Sequence, residues 1–158
     1  MKQSLFNAAK ILSLCLFMTF GISCSNNDDD VTANAEISYV VNGQTVAFNV
    51  VGTTESTIIS SNGEPVPVIN ISGGITGDSA NSISFQVFVD QVGQSALVFN
   101  FIQLTYNGVE YSVGNSSNFN FNLIVNDGTR LQGTFAGTFD NFNGDAIIIS
   151  DGQFNIDR

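Results

Sequence analysis

The chain contains no histidine and no tryptophan. Without histidine there is no Ser-His-Asp triad, no Cys-His dyad and none of the commonest zinc ligands. Without tryptophan, the usual platform for stacking sugars in a glycosidase cleft is missing. Carboxylate pairs remain the one catalytic option, and no spacing in the sequence selects a pair. We therefore read the chain as a non-enzyme. Cations are almost as scarce, with only four Lys and Arg against fourteen Asp and Glu. Nucleic-acid binding needs clustered Lys and Arg to neutralise phosphates, so it is excluded as a partner class. Proline occurs only at Pro65 and Pro67, and cysteine only at Cys15 and Cys24.

The first thirty residues carry a different signal. Lys2 and Lys10 give a positive start, and Ile11 to Phe20 is an apolar run of ten. A bilayer-crossing helix needs about twenty apolar residues, so this run suits cleavage better than spanning. Gly21-Ile22-Ser23 then leads into Cys24, with Ser25-Asn26-Asn27-Asp28-Asp29-Asp30 behind it. Charge, short apolar core, small residue and cysteine is the layout of a bacterial lipoprotein signal. Cys15 lies inside the apolar run after the bulky Leu14, so Cys24 is the expected lipidation site, carrying palmitate-type chains. We divide the chain into a signal peptide (1–23), a lipidated acidic tether (24–34) and one domain (35–158).

Removing the signal leaves Arg130 and Arg158 as the only cations against fourteen carboxylates, a net charge of −12. No second cysteine remains, so stability must come from a core rather than from an intrachain disulfide. The domain reads as all-β. Turn pairs recur at Asn42-Gly43, Asn62-Gly63, Asn107-Gly108, Asp127-Gly128, Asn143-Gly144 and Asp151-Gly152. Such pairs favour the positive φ angles of tight hairpins. Between them the residues alternate. Phe119, Phe121, Leu123 and Val125 share one face of a strand, and Asn118, Asn120, Asn122 and Asn126 share the other. Leu131, Gly133, Phe135, Gly137 and Phe139 repeat the pattern. The expected fold is an antiparallel β-sandwich of eight to ten strands. The alternative is an up-and-down, lipocalin-like barrel carrying an apolar ligand.

Four features could carry chemistry. Asp140, Asn141, Asn143 and Asp145 crowd oxygen atoms into one loop, a candidate calcium site, although Asp and Asn also build turns for conformational reasons alone. No other cofactor is expected. Tyr106 and Tyr111 flank the Asn107-Gly108 turn and are candidate ligand contacts, against the commoner role of a ring that packs while its hydroxyl stays wet. Gly73, Gly74 and Gly77 suggest an exposed loop beside Asp78-Ser79-Ala80. Asp28, Asp29 and Asp30 form an acidic patch behind Cys24, either a signal for export or a tether that repels anionic head groups.

Three segments resemble those of a known group. Cys24 to Asp30 resembles the export signal of surface lipoproteins in the Bacteroidota, where acidic residues behind the lipidated cysteine accompany transfer to the outer face of the outer membrane. The closing strands resemble those of small flavobacterial-type envelope lipoproteins: Gly133-Thr134-Phe135, Gly137-Thr138-Phe139, Ala146 to Ile149 and Asp151-Gly152-Gln153-Phe154. Asp78-Ser79-Ala80 is similar to the acceptor pattern for O-linked glycans in the same group, with Ser79 as acceptor. The resemblance implies a lipid-anchored protein of the outer membrane, on the cell surface or alternatively facing the periplasm. Its partners would be the membrane, through the anchor, and a glycan or another envelope protein. Neither the resemblance nor the residues set an oligomeric state.

Overall fold

The computed structural model describes residues 36–113 and 118–158. The signal peptide, Cys24, the aspartates Asp28, Asp29 and Asp30, and the tether lie outside the described residues. The domain is all-β, as its alternation and turn pairs predict. Ten strands follow in order: β1 Ile37–Val41, β2 Gln44–Phe48, β3 Val50–Ile59, β4 Pro65–Ile75, β5 Asp78–Phe88, β6 Leu97–Tyr106, β7 Val109–Ser112, β8 Asn120–Asn126, β9 Arg130–Asp140 and β10 Ala146–Asp157. A 3-10 turn, Gln94–Ala96, precedes β6. Among the described residues no helix is long and apolar enough to cross a membrane.

Neighbouring strands are antiparallel throughout, in the order β2-β1-β10-β9-β7-β6-β5-β4-β3, with β8 also on β9. Two corners close this path. Asn49 alone separates β2 from β3, so one length of chain pairs first with β1 and then with β4. Likewise β7 and β8 both lie along β9, with Ser112 opposite Asp140 and Asn120 opposite Ala136. β7 pairs on its other edge with β6. Counting each corner as one stave gives an eight-stave meander, shut where β1 pairs with β10. The two expected architectures therefore meet in one ring. Its halves are β2-β1-β10-β9-β8 and β7-β6-β5-β4-β3.

The inward residues of these halves fill the space between them. Ile37, Tyr39, Ile71, Phe85, Ile102, Leu104, Phe121, Leu131, Phe135, Phe139 and Phe154 are all at most 3% exposed. Phe85 meets Phe154 and Phe121 across the interior at ring-centroid distances of 5.3 and 6.1 Å. Tyr39 packs on Phe48 and Phe135 at 5.8 and 6.3 Å. A ring of about eight strands encloses a lumen that side chains can just fill. Here fully buried phenylalanines occupy it, each contributing roughly 1.5–3 kcal/mol. The outward faces carry Asn, Gln, Ser and Thr.

The structure corrects two local expectations and adds two irregularities. Asp151-Gly152 is not a hairpin turn: β10 runs straight through it, with a bulge between Ile149 and Gly152 in its pairing with β9. Gly73 and Gly74 belong to β4 rather than to a loop, and the turn falls at Thr76-Gly77. Gly133 makes room for a ring from the neighbouring strand, Phe154, rather than from the opposite half. Finally, β6 is apolar on both sides over residues 97–101 and breaks register there. Phe85 pairs with Ile102 but Val87 with Leu97, so several β6 residues loop out between these rungs. Phe99, at φ 54°, is 78% exposed, and Phe101 is exposed beside it.

Candidate functional site

The loop after β9 is a self-satisfied turn. Asn141 Oδ1 accepts from the backbone N–H groups of Asn143 and Asp145, at 2.9 and 2.8 Å. Asn141 Nδ2 donates to Asp145 Oδ2 at 3.0 Å. A side-chain oxygen already holding two backbone donors is poorly placed to take a cation as well. Among the described residues no three Asp, Glu, His or Cys side chains gather as metal ligands. The geometry of Asp140, Asn141, Asn143 and Asp145 is explained by the turn.

Tyr106 and Tyr111 lie diagonally on the β6–β7 ladder, where Tyr106 faces Val109 and Leu104 faces Tyr111. Both share the inward face of Leu104 and pack, partly buried, against the core. Tyr106 also lines a depression of about 600 Å³ at the ring's mouth, with Gln44, Val46 and Asn107. Beneath lies a feature the sequence did not flag. The Tyr39 hydroxyl is buried with no hydrogen-bond partner, and burial, then the nearby Tyr106, pushes its ionisation well above the ordinary phenol range.

Ser79 is exposed, two residues beyond the Gly77 turn, at the start of β5. Its neighbour Asp78 is engaged: its carboxylate accepts from Asn81 Nδ2 at 2.6 Å and from the Ala80 N–H at 2.7 Å. These bonds hold its ionisation below the usual carboxylate value, the Asn81 bond most of all.

The larger feature is a groove on the outer face of β8, β9 and β10. A depression of about 670 Å³ is lined by Asn120 and Asn122 of β8, Thr134 and Ala136 of β9, and Asp151 and Gln153 of β10. A second, of about 310 Å³, shares Thr134 and Gln153 and extends past Ile124 and Asn155. Small residues of β9 form the floor, and amides of the flanking strands form the walls. The bulge builds one wall. Two consecutive residues, Ser150 and Asp151, are exposed there, and Asp151 holds a left-handed φ of 51°. Bulges commonly re-aim a side chain in this way. Asp151 is the one charged residue lining the larger depression.

Most polar side chains lining the larger depression have no hydrogen bond within the described residues. Those of Asn120, Asn122, Thr134 and Asp151 make no hydrogen bond among the described residues, and Gln153 makes one, to Ser38 Oγ at 3.3 Å. The outer face of the other half is different. There Asn70 Nδ2 donates to Ser56 Oγ at 2.8 Å and to the Thr54 carbonyl at 3.0 Å, and Gln86 Nε2 donates to Asn70 Oδ1 at 2.6 Å. One polar face is knit together, and the other is left open. The alternation of asparagines along β8 was visible in the sequence. Their meeting with Asp151 was hidden, because Asp-Gly reads as a turn. No family model, curated protein sequence or solved structure matches the chain.

Proposed function

We propose that the chain is a lipid-anchored protein of the outer membrane, displayed on the cell surface, which acts as a non-catalytic binding module through the groove on β8, β9 and β10. The open amide face carries the binding part of this reading. The larger depression sets one carboxylate, Asp151, among amides, an arrangement suited to holding a partner by hydrogen bonds. A lumen filled with phenylalanines leaves ligand binding to the outside of the ring, which favours a module over a carrier. The anchor rests on the lipoprotein layout around Cys24. Twelve residues carry the chain from Cys24 to Glu36, a reach of at most about 40 Å when extended. That tether is long enough to hold the domain clear of head groups.

Fractionation and protease shaving of intact cells test the address. Wild type should sediment with membranes and be digested from outside. Cys24→Ala should release it from the membrane. The triple change of Asp28, Asp29 and Asp30 to Ala should leave it anchored but protected. A Cys24→Ala chain that stays membrane-bound overturns the anchor. A wild type that resists shaving, but is digested once cells are opened, overturns surface display.

A further inference from the structure

We infer that the groove on β8, β9 and β10 takes a neutral, polyhydroxylated chain, an oligosaccharide without acidic groups, and that Asp151 is the acceptor that fixes its orientation. The inference rests on reading the groove as the binding face and adds the chemistry of what it binds.

Three observations carry it. First, the wall residues are suited to hydroxyl groups. Each Asn or Gln offers a carbonyl acceptor and two N–H donors, and a carboxylate accepts only. A vicinal diol can give both its protons to one carboxylate, a charge-assisted and therefore stronger contact. Its oxygens remain free to accept from Asn120, Asn122 or Gln153. Second, the side chains of Asn120, Asn122 and Asp151 make no hydrogen bond among the described residues and Gln153 makes one, whereas their counterparts around Asn70 bond to one another. A row of donors and acceptors with few internal bonds gives up little bonding of its own when it engages a ligand. Third, Asp151 occupies a left-handed conformation that most residues avoid. Such outliers cluster at ligand-binding positions, where surrounding structure holds them. Here the bulge turns a carboxylate into the larger depression, where it is the one charged group, while Glu36 stands in the adjoining one.

Charge and shape narrow the class. The domain is strongly acidic, with Arg130 and Arg158 the only cations among the described residues. An anionic chain would be repelled. From Asn120 to Ile124 the walls run roughly 14 Å along β8, which suits an extended chain better than a single small molecule. The rings lining the groove, Phe121 and Phe135, are buried to within 2% and offer no open stacking face. Binding therefore rests on hydrogen bonds, and a dissociation constant of about 0.1–1 mM is expected.

The test is titration calorimetry on the full-length chain in detergent. The probes are neutral hexasaccharides of gluco, manno and galacto type in α and β linkage, an oligouronate of matched length, and an arginine-rich peptide. At least one neutral hexasaccharide should bind, while the oligouronate and the peptide do not. Asp151→Gly should weaken that binding about tenfold and leave melting at or above the wild-type temperature, because glycine adopts the positive φ freely. The double change of Asn120 and Asn122 to Ala should weaken binding as well, and serves if the Asp151 variant fails to fold. The proposal is overturned if no neutral hexasaccharide binds, if the oligouronate binds as well, if the peptide is the ligand, or if folded variants bind like wild type. A chain that is anchored and shaved from cells yet binds no probe would leave the surface reading standing and remove this one.

Discussion

Phe154 lies directly over Gly133, its partner across the β9–β10 ladder: a Cβ built on Gly133 would come within 2.5 Å of the Phe154 ring. Two rungs away the arrangement is reversed, with Gly152 opposite Phe135 and covered by its ring. The two phenylalanines thus each use the bare backbone of the other's strand. Each ring then reaches the interior, Phe154 toward Phe85 and Phe135 toward Tyr39. Gly133→Ala must move both Phe154 and the Asn122 carbonyl, which is also 2.5 Å away. Overpacking of this kind costs about 3 kcal/mol. Thermal melting should show a drop of roughly 10 °C, and an unchanged midpoint would refute the packing described.

Tyr39→Phe has the opposite expectation. The hydroxyl is buried without a partner, so deleting it should be neutral or stabilise by up to about 1 kcal/mol. The pH dependence follows from its raised ionisation. Above the ordinary phenol pKa of 10.0 the unfolded chain loses the proton while the folded chain keeps it, so stability falls as pH rises beyond that value. Tyr39→Phe should lose less stability between pH 9 and 11 than wild type. A phenylalanine variant that melts well below wild type at neutral pH would show that the hydroxyl has a partner after all.

Acid should act through a turn at the other end of the ring. Asp127 Oδ1 accepts from the Thr129 N–H and hydroxyl and from the Arg130 N–H, each at 2.8 Å. These bonds, the Thr129 backbone bond foremost, lower its ionisation from 3.8. Stability from Asp127, as from Asp78, is present above that pH and lost as pH falls through the lowered values. Asp127→Asn should therefore flatten the loss of stability between pH 5 and 2. An acid limb of the same slope in the variant would count against it.

Arg158 ties the end of β10 to two other elements. It pairs with Glu55 of β3 and donates from Nη1 to the Asp127 carbonyl at 3.0 Å. Glu55 is 70% exposed while the arginine is 12% exposed, so solvent screens the ion pair and the carbonyl bond matters more. Arg158→Ala should cost about 1 kcal/mol. Glu55→Ala should cost less than half of that. Equal losses in denaturant titrations would reverse this ranking.

Period-two alternation made most of the fold legible. Along β8 the Phe-in, Asn-out pattern holds from Asn120 to Leu123, after which a bulge sets Val125 opposite Gln132 and Asn126 opposite the buried Leu131; Asn42-Gly43 and Asn107-Gly108 adopt positive φ at both residues, as tight hairpins require. Irregular positions were not legible, because a bulge has the composition of a turn. At Asp151-Gly152 the neighbouring β9 keeps β10 extended, and the local turn preference yields to the ladder. In β6 the looped-out residues move Phe99 from a predicted interior to the surface, and no local signal marks a change of register. The groove shared this fate. Its asparagines were visible one strand at a time, but their convergence on Asp151 depends on which strands become neighbours.

The seam between β1 and β10 joins Ile37 to Phe154, near the two ends of the domain. The last strand of the domain to be made is thus the one that shuts the ring. Until it arrives, β1 and β9 each lack a partner along one edge, and the interior phenylalanines cannot be sealed. Contacts so distant in sequence also form slowly. A chain built in this order stays open while it is being made. Loss of β10 would leave two bare edges, on β1 and β9, each a template for the wrong partner.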